Sequence, residues 1–231
     1  MTPPVRGRLF FGWCSEGKLR RATYSSCTGD GIIASKPSIP APQRTAHKPA
    51  LVLIDVINHF DFPDGEVLGS AAVHTLTTIA ALRKRYDREK LPVVYVNDNW
   101  MQWQGDFKDL VEACLTGDNP HSRTVARRLA PRKTDFYVLK PKQSGFMASA
   151  LPVLLAQLQV DAITLAGFAS DACVLATAMD AHMREYRVWV PEDCSAAISP
   201  ERHRCALGLL EHNKMATCTS AKATQGVFPP D

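Results

Sequence analysis

The chain has 231 residues, 45% of them hydrophobic, which is enough to bury the core of one α/β domain and argues against a disordered or fibrous protein. Its formal net charge of +4 is uneven: residues 1–48 hold 8 Lys and Arg against 2 acidic residues, whereas residues 49–231 hold 19 against 21. Because the larger part is nearly neutral and carries no basic stripe, the charge distribution argues against nucleic acid as a partner.

The N-terminal segment, residues 1–48, mixes Gly, Ser, Thr, Pro and Arg and runs into the proline-rich stretch KPSIPAPQRTAHKP. Repeated prolines disfavour both helix and central strand. We therefore predict a poorly ordered basic extension over residues 1–48, with an early start codon as the alternative explanation, and place the folded domain at residues 49–231.

From Ala50 onward, apolar runs alternate with longer amphipathic segments, a pattern typical of βα units. The predicted strands are residues 50–55, 91–97, 135–140, 162–166, 187–191 and 215–219. The predicted helices are residues 70–89, 106–115, 146–159, 172–186 and 200–212. Together they predict an α/β fold, a three-layer doubly wound sandwich around a six-stranded, mainly parallel, Rossmann-like sheet.

Seven cysteines are spread along the chain without the C-x-x-C spacing of a zinc site, and their odd number does not suit a disulfide framework. The pattern predicts free thiols in a reducing compartment. The sequence has no apolar run of membrane-spanning length and no clean secretory signal. We expect a cytoplasmic protein with no membrane partner, with an organelle-targeting reading of the acid-poor start as the alternative.

Three reactive residues fall at the ends of three different predicted strands. Asp55 ends the run ALVLID, Lys140 ends DFYVLK, and Cys173 follows the fourth strand in LAGFASDACVLATAMDA. Taken singly, each has an ordinary explanation: a turn cap, a surface amine and a small buried side chain. Together they share the sheet edge where ligands bind. At that edge a helix start and the Lys140 ammonium favour a thiolate at Cys173, and the Asp55 carboxylate can accept the thiol proton.

These residues lie in segments that resemble the isochorismatase-like cysteine hydrolases over roughly residues 50–221. The resemblance rests on IDVINHFDFPDG, KPKQSGFMASAL and GFASDACVLATAMDA, of which the last is the most specific. It implies a six-stranded parallel sheet whose first and fourth strands are neighbours, so that Asp55 and Cys173 meet. Lys140, from a strand further away, has a side chain long enough to reach them.

By the same resemblance, Cys173 is the nucleophile, Asp55 is the base that accepts its proton, and Lys140 stabilises the thiolate and holds Asp55. The resemblance also implies a non-proline cis peptide between Phe168 and Ala169. The backbone N–H groups of Ala169 and Cys173 would then form an oxyanion hole.

Nicotinamidases, a branch with this triad, bind a divalent metal through an Asp-x-His arrangement and a further histidine. Here the corresponding region reads VNDNWMQWQGDF and has no histidine, and Asp98 with Asp106 would be a poor substitute. We therefore expect no metal and no other cofactor, and we do not expect nicotinamidase activity.

Aromatic and amide residues that follow the first two strands are expected to line the substrate pocket, with loop packing or an oligomer contact as the alternative. These are Phe60, Asn97, Trp100 and Trp103. Phe146 is expected to anchor the core. Three further cysteines and two histidines are assigned no catalytic role. The cysteines are expected to be buried, and the histidines are expected at the surface or at an interface. They are Cys194, Cys205, Cys218, His182 and His203.

A nucleophilic cysteine favours hydrolysis of a carbon–nitrogen bond in a small linear amide, carbamoyl or ureido substrate through a thioester at Cys173. Two alternatives stay open: vinyl-ether cleavage, which needs Asp55 but not Cys173, and a non-catalytic binding module on the same fold. The resemblance also implies a homo-oligomer, a dimer or tetramer, and the aromatic loop of residues 100–107 would suit such a contact.

Overall fold

The computed structural model describes residues 48–229, a parallel sheet covered by helices on both faces. The predicted extension over residues 1–48 lies outside this range except for Lys48. The six strands of the described range are β1 (Pro49–Ile54), β2 (Val93–Asp98), β3 (Phe136–Lys140), β4 (Ala162–Phe168), β5 (Arg187–Trp189) and β6 (Ser195–Ala196). They pair in parallel in the order β3-β2-β1-β4-β5, and β6 pairs with β4 beyond the end of β5. The predicted fold class and the adjacency of the first and fourth strands are confirmed.

Helices connect the strands. They are α1 (Gly65–Arg88), α2 (Phe107–Thr116), α3 (Pro120–Arg128), α4 (Leu151–Gln157), α5 (Leu175–Met183) and α6 (Pro200–His212). A π-helical turn, Ser170–Val174, leads into α5, and a 3₁₀ turn, Glu192–Cys194, precedes β6. Over residues 48–229, none of the helices combines the length and apolar character that crossing a membrane requires.

The central strand β1 is buried on both faces of the sheet. Leu51 and Leu53 join a core cluster with residues of α1, α2 and α3, whereas Val52 and Ile54 join a second cluster with residues of α4, α5 and α6. This explains why the strand reads as a continuous apolar run rather than an alternating one. It also leaves the carboxyl ends of the strands as the edge where polar side chains can gather.

The sixth strand is not where the sequence predicted it. Residues 215–219 make only an isolated bridge, between Thr217 and Trp189, whereas the paired strand β6 lies at Ser195–Ala196. After β5 the chain passes through the 3₁₀ turn and returns to pair with β4 at Gly167 and Phe168. The predicted strand was inferred from apolar residues, but Cys218 is buried by packing in the core rather than by strand pairing.

Two helices also differ from the prediction. The helix expected over residues 146–159 is shorter in the structure, where α4 covers Leu151–Gln157 and residues 146–150 form turns and bends. The helix α3 was not predicted, although its signal is present in the sequence. Asn119 caps it by accepting hydrogen bonds from the N–H groups of His121 and Ser122, and Pro120 occupies the first helical position.

Gly167 in β4 occupies a position that requires the absence of a Cβ. Its φ of +123° is one that L side chains rarely adopt, and an added Cβ would stand 2.0 Å from the Ile54 carbonyl oxygen. We expect Gly167→Ala to lower the free energy of unfolding by at least about 3 kcal/mol, through strain and steric overlap, as measured by urea unfolding.

Gly208→Ala is the matched control for this prediction. Gly208 is exposed on α6, and an added Cβ would meet nothing within 4 Å. Because alanine favours helix, this change is expected to raise the free energy of unfolding by about 0.5–1 kcal/mol. Wild-type stability in Gly167→Ala would contradict the close approach of β1 and β4.

Candidate active site

Asp55 is the first residue after β1 and places a buried carboxylate at the carboxyl edge of the sheet. Its φ of +50° is in the left-handed region, which aspartate tolerates better than most residues, and this conformation ends the strand. One carboxylate oxygen accepts a hydrogen bond from the backbone N–H of Asp98 at 2.6 Å. The other lies 2.9 Å from Lys140 Nζ.

Lys140 is the last residue of β3, two strands away from β1, and its side chain is 1% exposed. Besides Asp55, its Nζ lies 3.4 Å from the sulfur of Cys173. An ammonium removed from water in this way is stable only with a partner charge, which the Asp55 carboxylate supplies. The long lysine side chain thus spans the distance that the strand order creates.

Cys173 lies in the π-helical turn between β4 and α5 and is partly exposed. Lys140 Nζ donates to its sulfur, and the nearby Asp55 carboxylate acts on its thiol by raising the thiol pKa. The hydroxyl of Thr177 donates to the Cys173 carbonyl at 2.6 Å, which fixes the backbone of the turn. One contacting group is therefore formed by Asp55, Lys140 and Cys173, although Asp55 and Cys173 are 118 residues apart in the sequence.

Burial and charge pairing set the protonation of these three groups. Burial raises the pKa of Asp55 above its usual 3.8, and the Lys140 ammonium offsets this only in part. Burial and the Asp55 carboxylate raise the pKa of Cys173 to about 12, although Lys140 acts in the opposite direction. For Lys140, burial lowers the pKa, but Asp55 and the sulfur outweigh it, so the net pKa lies above 10.5. The raised pKa of Cys173 thus favours a neutral thiol, while Lys140 favours the ionised form of the Asp55 carboxyl beside it.

Comparison with known proteins identifies the family of this chain. A family-level sequence profile described as the isochorismatase domain matches residues 49–223. The chain belongs to the isochorismatase family. Members of this family are hydrolases, so this chain is an isochorismatase-family hydrolase.

Individual relatives extend the comparison. The isochorismatase family protein YaaI of Bacillus subtilis is 37% identical over 171 residues, covering 74% of this chain and 93% of YaaI. The maleamate amidohydrolase of Pseudomonas putida is 26% identical over 171 residues, covering 69% of this chain and 78% of the relative. The crystal structure of N-carbamoylsarcosine amidase from Thermoplasma acidophilum is 29% identical, with a TM-score of 0.57, and the match covers 78% of this chain and 99% of that one.

The segment that contains Cys173, residues 168–174, is bonded to residues at the start of α6. The ring Nδ1 of His203 lies 2.9 Å from the Ser170 hydroxyl, and its Nε2 lies 3.0 Å from the Glu192 carbonyl oxygen. Since a carbonyl only accepts, Nε2 carries the proton and Nδ1 accepts from Ser170. Arg202 forms an ion pair with Asp171 of the same segment.

His203 was expected to be a surface or interface residue, and that expectation missed its contact with Ser170. His203 lies 33 residues after Ser170 in the sequence, and the packing of α6 against the π-helical turn brings these two residues together. Burial lowers the pKa of His203, which favours the neutral ring that accepts from Ser170. His182 is exposed as predicted.

The segment KPKQSGF, the second part of the family resemblance, fastens the end of β3 to α5. The Ser144 hydroxyl bonds to the Asp180 carboxylate, and the N–H of Gly145 donates to the Thr177 hydroxyl at 3.0 Å. The Thr177 hydroxyl also donates to the Cys173 carbonyl. Thr177 therefore links the segment that follows β3 to the turn that contains Cys173. The next residue, Phe146, is buried in the core as predicted.

The four predicted pocket residues have different surroundings. Phe60 is buried against Phe168, with ring centroids 6.4 Å apart, and Asn97 is buried with its amide bonded to the N–H and the carbonyl of Ile57. Trp100 is partly exposed and Trp103 is 74% exposed. Asn97 thus holds the loop after Asp55, and its polar groups are already engaged. Substrate contact by these four residues stays a prediction.

The peptide bond between Phe168 and Ala169 is cis, as the resemblance implied. The oxyanion hole assigned to the N–H groups of Ala169 and Cys173 stays a prediction. Cys194 and Cys218 are buried as predicted, but Cys205 is exposed, because α6 turns this position toward solvent. In residues 48–229 we find no cluster of three or more His, Cys, Asp or Glu side chains placed to hold a metal ion.

Proposed function

We propose that this chain is a cysteine hydrolase that cleaves the carbon–nitrogen bond of a small linear amide, carbamoyl or ureido compound through a thioester at Cys173. The observation that supports this proposal most is the position of Lys140 Nζ, 2.9 Å from an Asp55 oxygen and 3.4 Å from the Cys173 sulfur. A nucleophile, a base and a cation in mutual contact are the parts that nucleophilic acyl transfer requires. The relatives named as maleamate amidohydrolase and N-carbamoylsarcosine amidase support carbon–nitrogen cleavage.

In the first half-reaction, Asp55 accepts the Cys173 proton as the sulfur attacks the carbonyl carbon. The carbonyl oxygen becomes an oxyanion, for which the backbone N–H groups of Ala169 and Cys173 are the proposed donors. Lys140 stays protonated and stabilises negative charge, first on Asp55 and then on the sulfur. The negative charge thus passes from Asp55 through the sulfur to the carbonyl oxygen, so the net charge of the triad together with the bound substrate does not change.

Collapse of this intermediate breaks the carbon–nitrogen bond, and the nitrogen leaves with the proton that Asp55 holds. The product of this half-reaction is a thioester on Cys173. In the second half-reaction, Asp55 takes a proton from water, the resulting oxygen attacks the thioester, and the carboxylic acid product leaves. The sulfur regains its proton from Asp55, which restores the resting site.

We further propose that this chemistry uses the three side chains without a metal and that the protein acts as a homo-oligomer in the cytoplasm. The loop after β2, residues 99–106, contains no histidine that could serve as a first ligand. We therefore expect activity to survive treatment with EDTA. Loss of activity on chelation, with recovery on addition of a divalent metal, would contradict this part of the proposal.

The test is ammonia release from a panel of small primary amides, carbamoyl amino acids and ureido acids, combined with intact mass spectrometry of the quenched enzyme. We expect turnover of at least one class and a mass increase equal to the acyl group, located on Cys173 by peptide mapping. Hydroxylamine is expected to remove this group, because it attacks thioesters. Turnover of a vinyl ether without an acylated intermediate would favour the first alternative, and no turnover of any compound would favour a binding module.

A further inference from the structure

His203, near the start of α6, is a half-buried histidine that the proposed mechanism does not use. Its Nδ1 accepts a hydrogen bond from the Ser170 hydroxyl at 2.9 Å, and its Nε2 donates to the Glu192 carbonyl oxygen at 3.0 Å. The bond to a carbonyl places the ring proton on Nε2, which leaves Nδ1 of the neutral ring as the acceptor. Both ring nitrogens are therefore engaged, each with a different segment of the chain.

The two segments that His203 bonds both join the end of β4. Ser170 begins the π-helical turn that contains Cys173, and Glu192 begins the 3₁₀ turn that precedes β6. β6 in turn pairs with the last two residues of β4. A ring of contacts thus runs from β4 through the π-helical turn to His203, and from there through the 3₁₀ turn and β6 back to β4.

The bond to Ser170 is the better shielded of two contacts between α6 and the π-helical turn. The other contact is the ion pair of Arg202 with Asp171, in which the arginine side chain is 57% exposed, and solvent weakens such pairs. Ser170 is 0% exposed, so its hydroxyl cannot turn to water when His203 is replaced. Because a buried hydroxyl that loses its partner is destabilising, the His203 contact is the stronger of the two constraints on the turn.

Ser170 lies between the two backbone N–H groups that are the proposed oxyanion donors, those of Ala169 and Cys173. The Ala169 carbonyl accepts from the N–H of Ala172 at 3.2 Å and from the N–H of Val174 at 3.1 Å, so the turn closes on itself around Ser170. A shift at Ser170 therefore moves both donors and the sulfur relative to the other two triad residues. A displacement of about 1 Å at a reacting group can lower turnover by about 10²-fold.

We propose that His203 is a positioning residue for the nucleophile. By accepting from Ser170, it holds the turn so that the Cys173 sulfur and the oxyanion donors meet the substrate carbonyl in the reactive arrangement. This proposal rests on the proposed amide hydrolysis and extends it to a residue outside the triad. Since His203 acts through the turn and not on the substrate, its loss should lower kcat and leave KM nearly unchanged.

Two amide variants separate the two bonds of the ring. His203→Asn places an amide oxygen where Nδ1 stands and can still accept from Ser170, whereas His203→Gln extends an amide toward Glu192 and leaves Ser170 without this acceptor. With the amide of the panel that the wild type hydrolyses fastest, His203→Gln is expected to lower kcat at least about tenfold with KM within about threefold. His203→Asn should keep both constants within about threefold of the wild type.

Rates are normalised to the folded fraction measured by circular dichroism, so that unfolding is not counted as lost turnover. His212→Gln is the matched control, because His212 lies at the exposed end of the same helix. It should keep the wild-type kcat and KM.

Ser170→Ala tests the same bond from its other end. It removes the donor hydroxyl and keeps His203, and it is expected to lower kcat by about the same factor as His203→Gln. Because both changes remove one bond, the double variant Ser170→Ala/His203→Gln should lose no more than about threefold beyond either single variant. Ser170→Thr restores the hydroxyl and should keep kcat, so the two Ser170 variants decide the question where His203→Gln does not fold.

Wild-type kcat in His203→Gln and Ser170→Ala, equal losses in His203→Gln and His203→Asn, or multiplied losses in the double variant would overturn the positioning role. Ammonia release from none of the amides by the wild type would instead contradict the proposed hydrolysis. The positioning role is then decided by alkylation of Cys173 with iodoacetamide. A released turn exposes the sulfur, so the rate in His203→Gln should exceed the rates in the wild type and in His203→Asn by at least about threefold. Equal rates in the three proteins would overturn it.

Discussion

Cys173→Ala is expected to lower kcat/KM for an amide substrate by at least about 10⁴-fold, because the proposed covalent intermediate forms on the Cys173 sulfur, which lies 3.4 Å from Lys140 Nζ. Cys173→Ser is expected to fall nearly as far. A serine hydroxyl is much less acidic than a thiol, and a carboxylate paired with Lys140 is too weak a base to activate it. Steady-state ammonia release measures both losses.

The control is Cys205→Ser, since Cys205 is exposed on α6 and is remote from the triad contacts. It is expected to keep wild-type turnover and acylation. Stability should distinguish chemistry from misfolding: the Cys173 variants are expected to unfold within about 1 kcal/mol of the wild type, because the side chain is partly exposed and the Asp55–Lys140 pair remains. Full turnover in Cys173→Ala would reject the cysteine mechanism.

Most of the sheet could be predicted from the sequence because β1, β2 and β4 are buried over nearly their whole length, while β3 exposes Phe136 and Tyr137 but still reads as an apolar run. Continuous apolar runs mark β1 to β4, and polar residues mark their ends. The sixth strand could not be predicted, because Ser195–Ala196 is two residues long and pairs only after the chain has turned back past β5. Its pairing depends on tertiary structure, which a local pattern does not contain.

The three reactive residues could be found because each stands where an apolar run ends, and the ends of parallel strands meet at one edge. The hydrogen bonds that hold the segments around these residues in place could not be predicted from the sequence. Ser144 with Asp180, and Ser170 with His203, join segments 33 to 36 residues apart through helix packing that no spacing reveals. The raised pKa of the Cys173 thiol could not be inferred from the sequence either, because it depends on how burial and two opposite charges add at one sulfur.

The two charged neighbours of Cys173 have opposite effects on its thiol, and this allows their roles to be separated. Burial raises the thiol pKa, the Asp55 carboxylate raises it further to about 12, and Lys140 lowers it. Asp55→Asn therefore removes a raising influence, so the thiol pKa is expected to fall. Lys140→Met removes the lowering influence, so the pKa is expected to rise. Both variants should lose about 10²–10⁴-fold in kcat/KM, because each removes a group that acts on the transferred proton or its charge.

Iodoacetamide alkylation at mildly alkaline pH measures the thiolate, with Cys173 followed by peptide mass spectrometry. The expected order of rates is Asp55→Asn, then wild type, then Lys140→Met, while the turnover of both variants is far below wild type. A variant that is more reactive yet inactive would show that Asp55 serves turnover as a proton carrier and not by maintaining a resting thiolate. Slower alkylation in Asp55→Asn than in the wild type would contradict this assignment.

Either single change breaks a buried ion pair, which is expected to cost about 3–5 kcal/mol and could prevent folding. The double variant Asp55→Asn/Lys140→Met leaves no unpaired charge and is expected to recover much of that loss. Its turnover should remain as low as that of the single variants, because the proton carrier is still missing. Recovery of stability without recovery of turnover would separate two roles: the two charges stabilise each other in a buried site, and in the proposed mechanism Asp55 alone carries one proton from sulfur to nitrogen while Lys140 stays protonated.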